Sequence, residues 1–320
     1  MRCKSLWLAL SLSLTVFQAH AQSFPTAPVK LIVPLTAGSG ADTAARLLAQ
    51  SLSKVWKQTV VVDNRPGAGG LIGTAAVVTA EPNGYTLLFQ SAGYAANPAV
   101  YKKLPYDASN VLTDVALIGS TQYVLVTSPN GPYKTLKDLI AAAKARPGEV
   151  TYGSVGIGSS THFAAEYFNQ AAGVRMLHVP YKGGPEVIQD VMAGRIGFAM
   201  ASLSTALGQI RAGKLLALGV AGDARAEAAP EIPTIAEQGF PGFDMRLWFG
   251  LWAPHATPAA LVAQINTDVK RAMQDPEFVT AFAKAGMQSQ AMSPADFARF
   301  VNNEMQKFQK TAKEAGVEPQ

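Results

Sequence analysis

Cysteine is almost absent: one residue in 320, Cys3, at the extreme N-terminus. The rest of the chain therefore has no disulfide, no thiol nucleophile and no cysteine-held metal. Charged residues are scarce at 15%, and no apolar run reaches the ~20 residues that cross a bilayer. The phosphate-binding pattern G-x-x-x-x-G-K-S/T, the zinc pattern H-E-x-x-H and the nucleophile elbow G-x-S-x-G are all missing. Gly38-Ser39-Gly40-Ala41-Asp42-Thr43 approaches a dinucleotide fingerprint, as does Gly156 to Thr161, but each has threonine in place of the third glycine. His162, His178 and His255 show no metal-ligand spacing. Lys and Arg are scattered rather than clustered, which argues against a nucleic-acid partner. These absences leave a protein expected to use no metal and no cofactor.

What is present begins with a leader. Arg2 and Lys4 precede an apolar stretch from Leu6 to Phe17, and Ala19-His20-Ala21 offers a small-residue cleavage pattern. Residues 1–21 are read as a cleaved signal peptide, which places the mature protein outside the inner membrane, in the periplasm. Removing Arg2 and Lys4 lowers the formal charge from +5 to +3, a mild bias suited to an anionic solute. Hydrophobic residues make up 48%, enough for a large core.

Short apolar runs then alternate with helical spacing. Val29–Leu35, Thr59–Val62 and Tyr85–Gln90 read as strands, with helices at Asp42–Trp56 and about Leu71–Ala80 between them. A second series has strands at Tyr123–Thr127, Val150–Gly153, Leu177–Pro180, Ile196–Ala201 and Leu215–Val220. Its helices are Leu136–Ala145, Thr161–Ala171 and Glu186–Ala193. A strand at Arg246–Ala253 and three amphipathic segments, beginning at Pro258, Pro276 and Pro294, end the chain. Such alternation predicts an α/β fold of mostly parallel sheets flanked by helices. Two units predict two lobes: 22–121 plus 250–320, and 122–249.

One device occurs in both units. Strand, then Thr36-Ala37-Gly38-Ser39-Gly40, then helix; strand, then Ser154 to Thr161, then helix. Glycine N–H groups, small hydroxyls and a helix start receive an anion without a charged side chain. Glycine and serine are also ordinary turn and cap residues, so the residues alone leave both readings open. Arg65–Gly70 is a third glycine loop, read as a tight turn. Asp42 is either a helix-start residue or a partner for a ligand amine.

Taken in order, Pro34–Arg46, Val62–Thr74, Pro82–Thr86, Tyr106-Asp107, Tyr152–His162, His178–Gly183, Ala212–Lys214 and Trp248–Pro254 carry a resemblance. The chain resembles the Bug-type solute-binding proteins of tripartite tricarboxylate transporters over essentially its whole mature length. The resemblance implies a two-lobed Venus flytrap, type II-like periplasmic-binding-protein fold. It implies capture of a small carboxylate, delivered to a membrane transporter with one large and one small subunit. The receptor itself is expected to be a monomer and not an enzyme. The ligand site it implies comprises Thr36, Ala37, Gly38, Ser39, Gly40, Ser154, Gly156, Gly158, Ser159, Ser160 and Thr161, with Ser91 and Ser202 at further strand ends; Asp42 and His162, in the first turns of the helices that follow, are further candidates. Tyr94, or else Phe89, supplies an aromatic wall. The chain departs from the family at Ser39, usually glycine, at Leu71, often asparagine, and at Gly197, often acidic. These departures point to a difference in solute. Two rival readings remain: a receptor that reports to a membrane sensor, and a secreted hydrolase pairing Ser160 or Ser154 with His162.

Overall fold

Strand β1 (Val29–Val33) is buried along almost its whole length because it lies between β2 (Val60–Asn64) and β3 (Thr86–Ser91), parallel to both. The computed structural model describes residues 24–106 and 111–314; the expected leader and Asp107 lie outside them. Helix α1 (Gly40–Trp56) links β1 to β2 and α2 (Leu71–Val78) links β2 to β3. Ser39 caps α1 by accepting from the Asp42 N–H, and Ala45, Leu48, Ala49 and Leu52 form its buried face. A short α3 (Gly93–Ala96) follows β3.

Strand β4 (Leu112–Thr127) joins the two lobes. Leu112–Gln122 pairs antiparallel with β9 (Arg246–Pro254), and Tyr123–Thr127 pairs antiparallel with β7 (Phe198–Ser202) and β8 (Leu216–Val220). Between them run α4 (Leu136–Ala145), β5 (Thr151–Ser154), α5 (Ser160–Ala172), β6 (Leu177–Pro180), α6 (Gly184–Met192) and α7 (Leu203–Arg211). The strand order is β2-β1-β3-β9-β4-β7-β5-β6. Each parallel set, β2-β1-β3 and β7-β5-β6, thus meets the antiparallel pair β9-β4 at the centre. The long first half of β4 and the whole of α7 go beyond the sequence reading.

The tail packs back against α1, α3 and β4 as α8 (Ala259–Met273), α9 (Pro276–Lys284), β10 (Met287–Ser289) and α10 (Pro294–Glu314). It is fastened by indoles: Trp56 Nε1 donates to Asp268 at 2.8 Å, and Trp248 Nε1 to Glu304 at 2.8 Å. Gly250 lets α10 approach β9, since a Cβ there would lie 2.3 Å from the Phe297 ring. Each buried aromatic of this kind adds ~1.5–3 kcal/mol of burial. No helix of the described residues is long and apolar enough to cross a membrane.

Candidate functional site

The two loops singled out in the sequence have the same internal wiring. Gly38 and Gly158 both take positive φ, 79° and 76°, and Ser39 and Ser159 follow as helix caps. Three residues beyond each cap, a side chain reaches back to the glycine N–H. Asp42 Oδ2 accepts from Gly38 at 2.9 Å, and His162 Nδ1 accepts from Gly158 at 3.4 Å. Asp42 also accepts from Arg46 at 3.0 Å and from Asn64 at 2.9 Å. Burial pushes its carboxyl up, but the bonds from Arg46, Gly38 and Asn64 outweigh this and hold it below the usual range. Asp42 is thus engaged within its own loop.

Between the loops lies a cavity of about 40 Å³, lined by Ser39, Gly40, Ser91, Ser154, Ser160, Thr161 and Ser202. That volume holds about three water molecules. Ala41, Gly184 and Thr205 also face it, with Leu35, Val155, Val187, Met200, Leu247 and Phe249 as its apolar wall. Among the described residues none of the lining side chains is charged. Four helices begin there: α1 at Gly40, α5 at Ser160, α6 at Gly184 and α7 just after Ser202. The first two have side-chain caps and the last two have none. Each helix start favours an anion by ~0.3–1 kcal/mol, and by up to ~2 when partly buried.

Other expected residues sit around this cavity rather than on it. A Cβ at Gly38 would touch Pro185 at 3.4 Å, and one at Gly183 would fall 1.7 Å from the Thr36 hydroxyl. Thr36 and Gly38 therefore meet the opposite lobe at the rim, with exposed Ala37 between them. Gly156 lines a neighbouring cavity of about 230 Å³, together with Gly67–Gly70, Tyr181 and Lys182. Gly158 packs against Val100 and Tyr101. The aromatic wall is Phe249; Phe89 is fully buried behind it, with ring centroids 6.2 Å apart. Tyr94 is buried against Trp252 at 4.6 Å and does not line the cavity; burial, and then the charge of Asp114, raise its pKa. Gly197 lies beside the Thr151 carbonyl, 2.9 Å from where a Cβ would stand, so its departure from the family concerns packing between β5 and β7.

Histidine chemistry differs from the hydrolase pairing. Among the described residues neither Ser154 nor Ser160 bonds the His162 ring; Ser154 Oγ instead lies 2.6 Å from His178 Nε2. The two imidazoles stack at 4.1 Å, with Tyr152 stacked on His178 at 5.0 Å. Burial, then the charge of His178, push His162 down to about 3, and burial pushes His178 down to about 4. A histidine so lowered is a weak base at neutral pH. No sequence pattern pairs His178 with Ser154, which lies 24 residues earlier. Only the fold brings neighbouring strands β5 and β6 together there.

Two lobes joined by crossing strands, with an uncharged, hydroxyl-lined cavity at four helix starts, define a periplasmic-binding-protein architecture. The chain belongs to the tripartite tricarboxylate transporter family receptors (TctC), whose pattern it matches over residues 44–317. It is 34% identical to BugT of Bordetella pertussis over 299 residues, covering 93% of this chain and 92% of that one. The solved periplasmic binding protein BugD is similar at 30% identity and TM-score 0.88, covering 93% of this chain and 100% of that one. A structure of Rpa4515 from R. palustris with adipate has 33% identity and TM-score 0.89, at the same coverage. MatC from Rhodopseudomonas palustris, solved with bound malate, has 28% identity and TM-score 0.84, covering 90% of this chain and 99% of that one.

Proposed function

We propose that this protein is a periplasmic receptor that captures a small di- or tricarboxylate or aromatic carboxylate between its lobes. It delivers the acid to a membrane transporter of one large and one small subunit. The observation that carries this reading is the convergence of four helix starts and a set of hydroxyls on a cavity with no charged lining side chain. Backbone N–H groups and hydroxyls replace the hydration of a carboxylate, and no bond is broken. Ser39, Gly40, Ser91, Ser154, Ser160, Thr161 and Ser202 contact the solute. Thr36, Ala37, Gly38, Gly156, Gly158 and Ser159 shape the loops, while Asp42 and His162 brace them; Tyr94 supports from the core. The bodies that close are 22–121 with 250–320, and 122–249. Residues 1–21 serve as the export signal. Adipate and malate in the similar structures fit the same solute class.

Micromolar affinity requires about −8 kcal/mol. The helix starts supply only part of this, so the apolar wall and lobe closure contribute the remainder. A thermal-shift screen of adipate, malate, citrate, benzoate, nicotinate and amino acids tests the reading, because a ligand of the folded state raises Tm. A rise with at least one carboxylate is expected. A flat response to every acid would overturn it.

A further inference from the structure

We propose that His178 is a positioning residue for solute capture: it fixes the Ser154 hydroxyl as a hydrogen-bond donor into the cleft. This rests on the carboxylate reading above. Ser154 lines the cavity at the end of β5, whereas His178 stands behind it on β6. Ser154 Oγ has three neighbours: His178 Nε2 at 2.6 Å, the Gly156 N–H at 3.2 Å and the Gly156 carbonyl at 3.0 Å.

A serine hydroxyl has one proton and two lone pairs. The Gly156 N–H occupies one lone pair. If His178 carries its proton on Nε2, that N–H fills the other, and the serine proton is the only valence left to offer. It rests on the Gly156 carbonyl in this structure and can swing to a carboxylate oxygen, which is the stronger acceptor because it is charged. If His178 carried its proton on Nδ1 instead, the serine proton would point at the ring. Ser154 would then turn a lone pair toward the cleft and repel a carboxylate. One proton position on an imidazole outside the cavity thus decides whether a hydroxyl inside it attracts or repels the solute.

The surroundings hold the ring in place for this task. His162 stacks on it from α5 and Tyr152 from β5. Tyr152 is itself tethered, its hydroxyl donating to Glu166 on α5, and His162 is tethered by the Gly158 N–H. Among the described residues Tyr152 stacks on both imidazoles and links them to Glu166. The depressed pKa values keep both imidazoles neutral at neutral pH, which a single fixed proton position requires.

Two measurements test this, with adipate as probe and malate if adipate gives no thermal shift. Nitrogen-15 NMR of the imidazoles at pH 7.5 should show His178 protonated on Nε2; protonation on Nδ1 with binding intact overturns the inference and leaves the receptor reading standing. Calorimetric titration of Ser154→Ala, His178→Phe and the double variant should show each single change weakening binding about tenfold, with the double variant no weaker than either. A hundredfold loss in the double variant, or normal affinity in His178→Phe, also overturns it. His178→Gln, whose amide can donate in the same direction, should recover most of the affinity and guards against a His178→Phe protein that fails to fold. Failure of every acid to bind the wild type sinks both readings together.

Discussion

Tyr101 Oη donates a hydrogen bond to the Ile157 carbonyl at 3.1 Å, between segments 56 residues apart in sequence. Tyr101 follows α3, and Ile157 sits in the loop between β5 and α5. Tyr101→Phe keeps the ring against Gly158 and loses only the bond. A bond of this kind is worth about 1 kcal/mol net, or about fivefold in an equilibrium. Stopped-flow tryptophan fluorescence with adipate should show release about fivefold faster, with Tm of the free protein nearly unchanged. Identical release rates would show that the bond does not hold the lobes together.

Gly183 has an extended backbone, φ −166°, that any residue can adopt, so contact alone forbids a side chain there. The obstacle is the Thr36 side chain, 1.7 Å from a Cβ at that position. Gly183→Ala should leave the free protein folded but unable to close, with affinity reduced roughly tenfold or more, the equivalent of at least ~1.4 kcal/mol. Adding Thr36→Gly, which removes the obstacle, should restore affinity. Small-angle scattering with and without adipate reads the closure directly; compaction of Gly183→Ala to the wild-type extent would refute the argument.

Burial pushes Asp114 up from 3.8 to about 6, although Trp252 Nε1 donates to it at 2.7 Å. The native state therefore holds this proton more tightly than the unfolded chain does. Stability from this group is fully present below about pH 4 and is lost as pH rises through about 6. Asp114→Asn keeps an acceptor for the indole and removes the charge. Urea denaturation at pH 8 should find it more stable than wild type by on the order of 2 kcal/mol. The gain should vanish near pH 4; a gain equal at both values would exclude the titration of Asp114 as its cause.

His162 and His178 act with the opposite sign. Their native pKa values, about 3 and about 4, lie below the ordinary 6.5, so the unfolded chain binds more protons between those limits. Their contribution is present above pH 6.5 and falls away as the solution is acidified toward pH 4. In His162→Gln the amide oxygen can still accept from Gly158. Between pH 6 and 5 the histidine part of the acid sensitivity should drop by about half, since each proton taken up costs up to ~1.4 kcal/mol per pH unit. An unchanged slope relative to wild type would show that His162 does not titrate as its burial requires.

Much of the fold is legible where local chemistry punctuates it. Helix α4 and strand β6 occur at the residues expected, and α4 carries a capping box between Thr135 and Asp138. The first half of β4 is not legible: Asp114, Gly119 and Ser120 interrupt its apolar run, and its pairing with β9 shifts register twice. Helix α7 hides because Ser204, Thr205 and Gly208 have weak helix propensity and its start has no side-chain cap. This omission matters for the site, since α7 brings Thr205 to the cavity. Serines at strand ends were readable as a class. The Phe249 wall was not, because which face of a fully buried strand meets a cleft depends on its neighbours.

With the lobes together, the cavity of about 40 Å³ has room for about three waters. A space of that size does not hold a six-carbon diacid, so the capture proposed above would require Thr36 to move off Gly183 and Tyr101 off Ile157. If the protein captures an acid as proposed, exchange would be gated: a trapped acid would not be displaced by a competitor in solution, however concentrated, until the jaws part. For tightly and weakly held acids alike, the opening rate would then set a common ceiling on departure, and a membrane partner that hastened opening would control unloading without touching the solute.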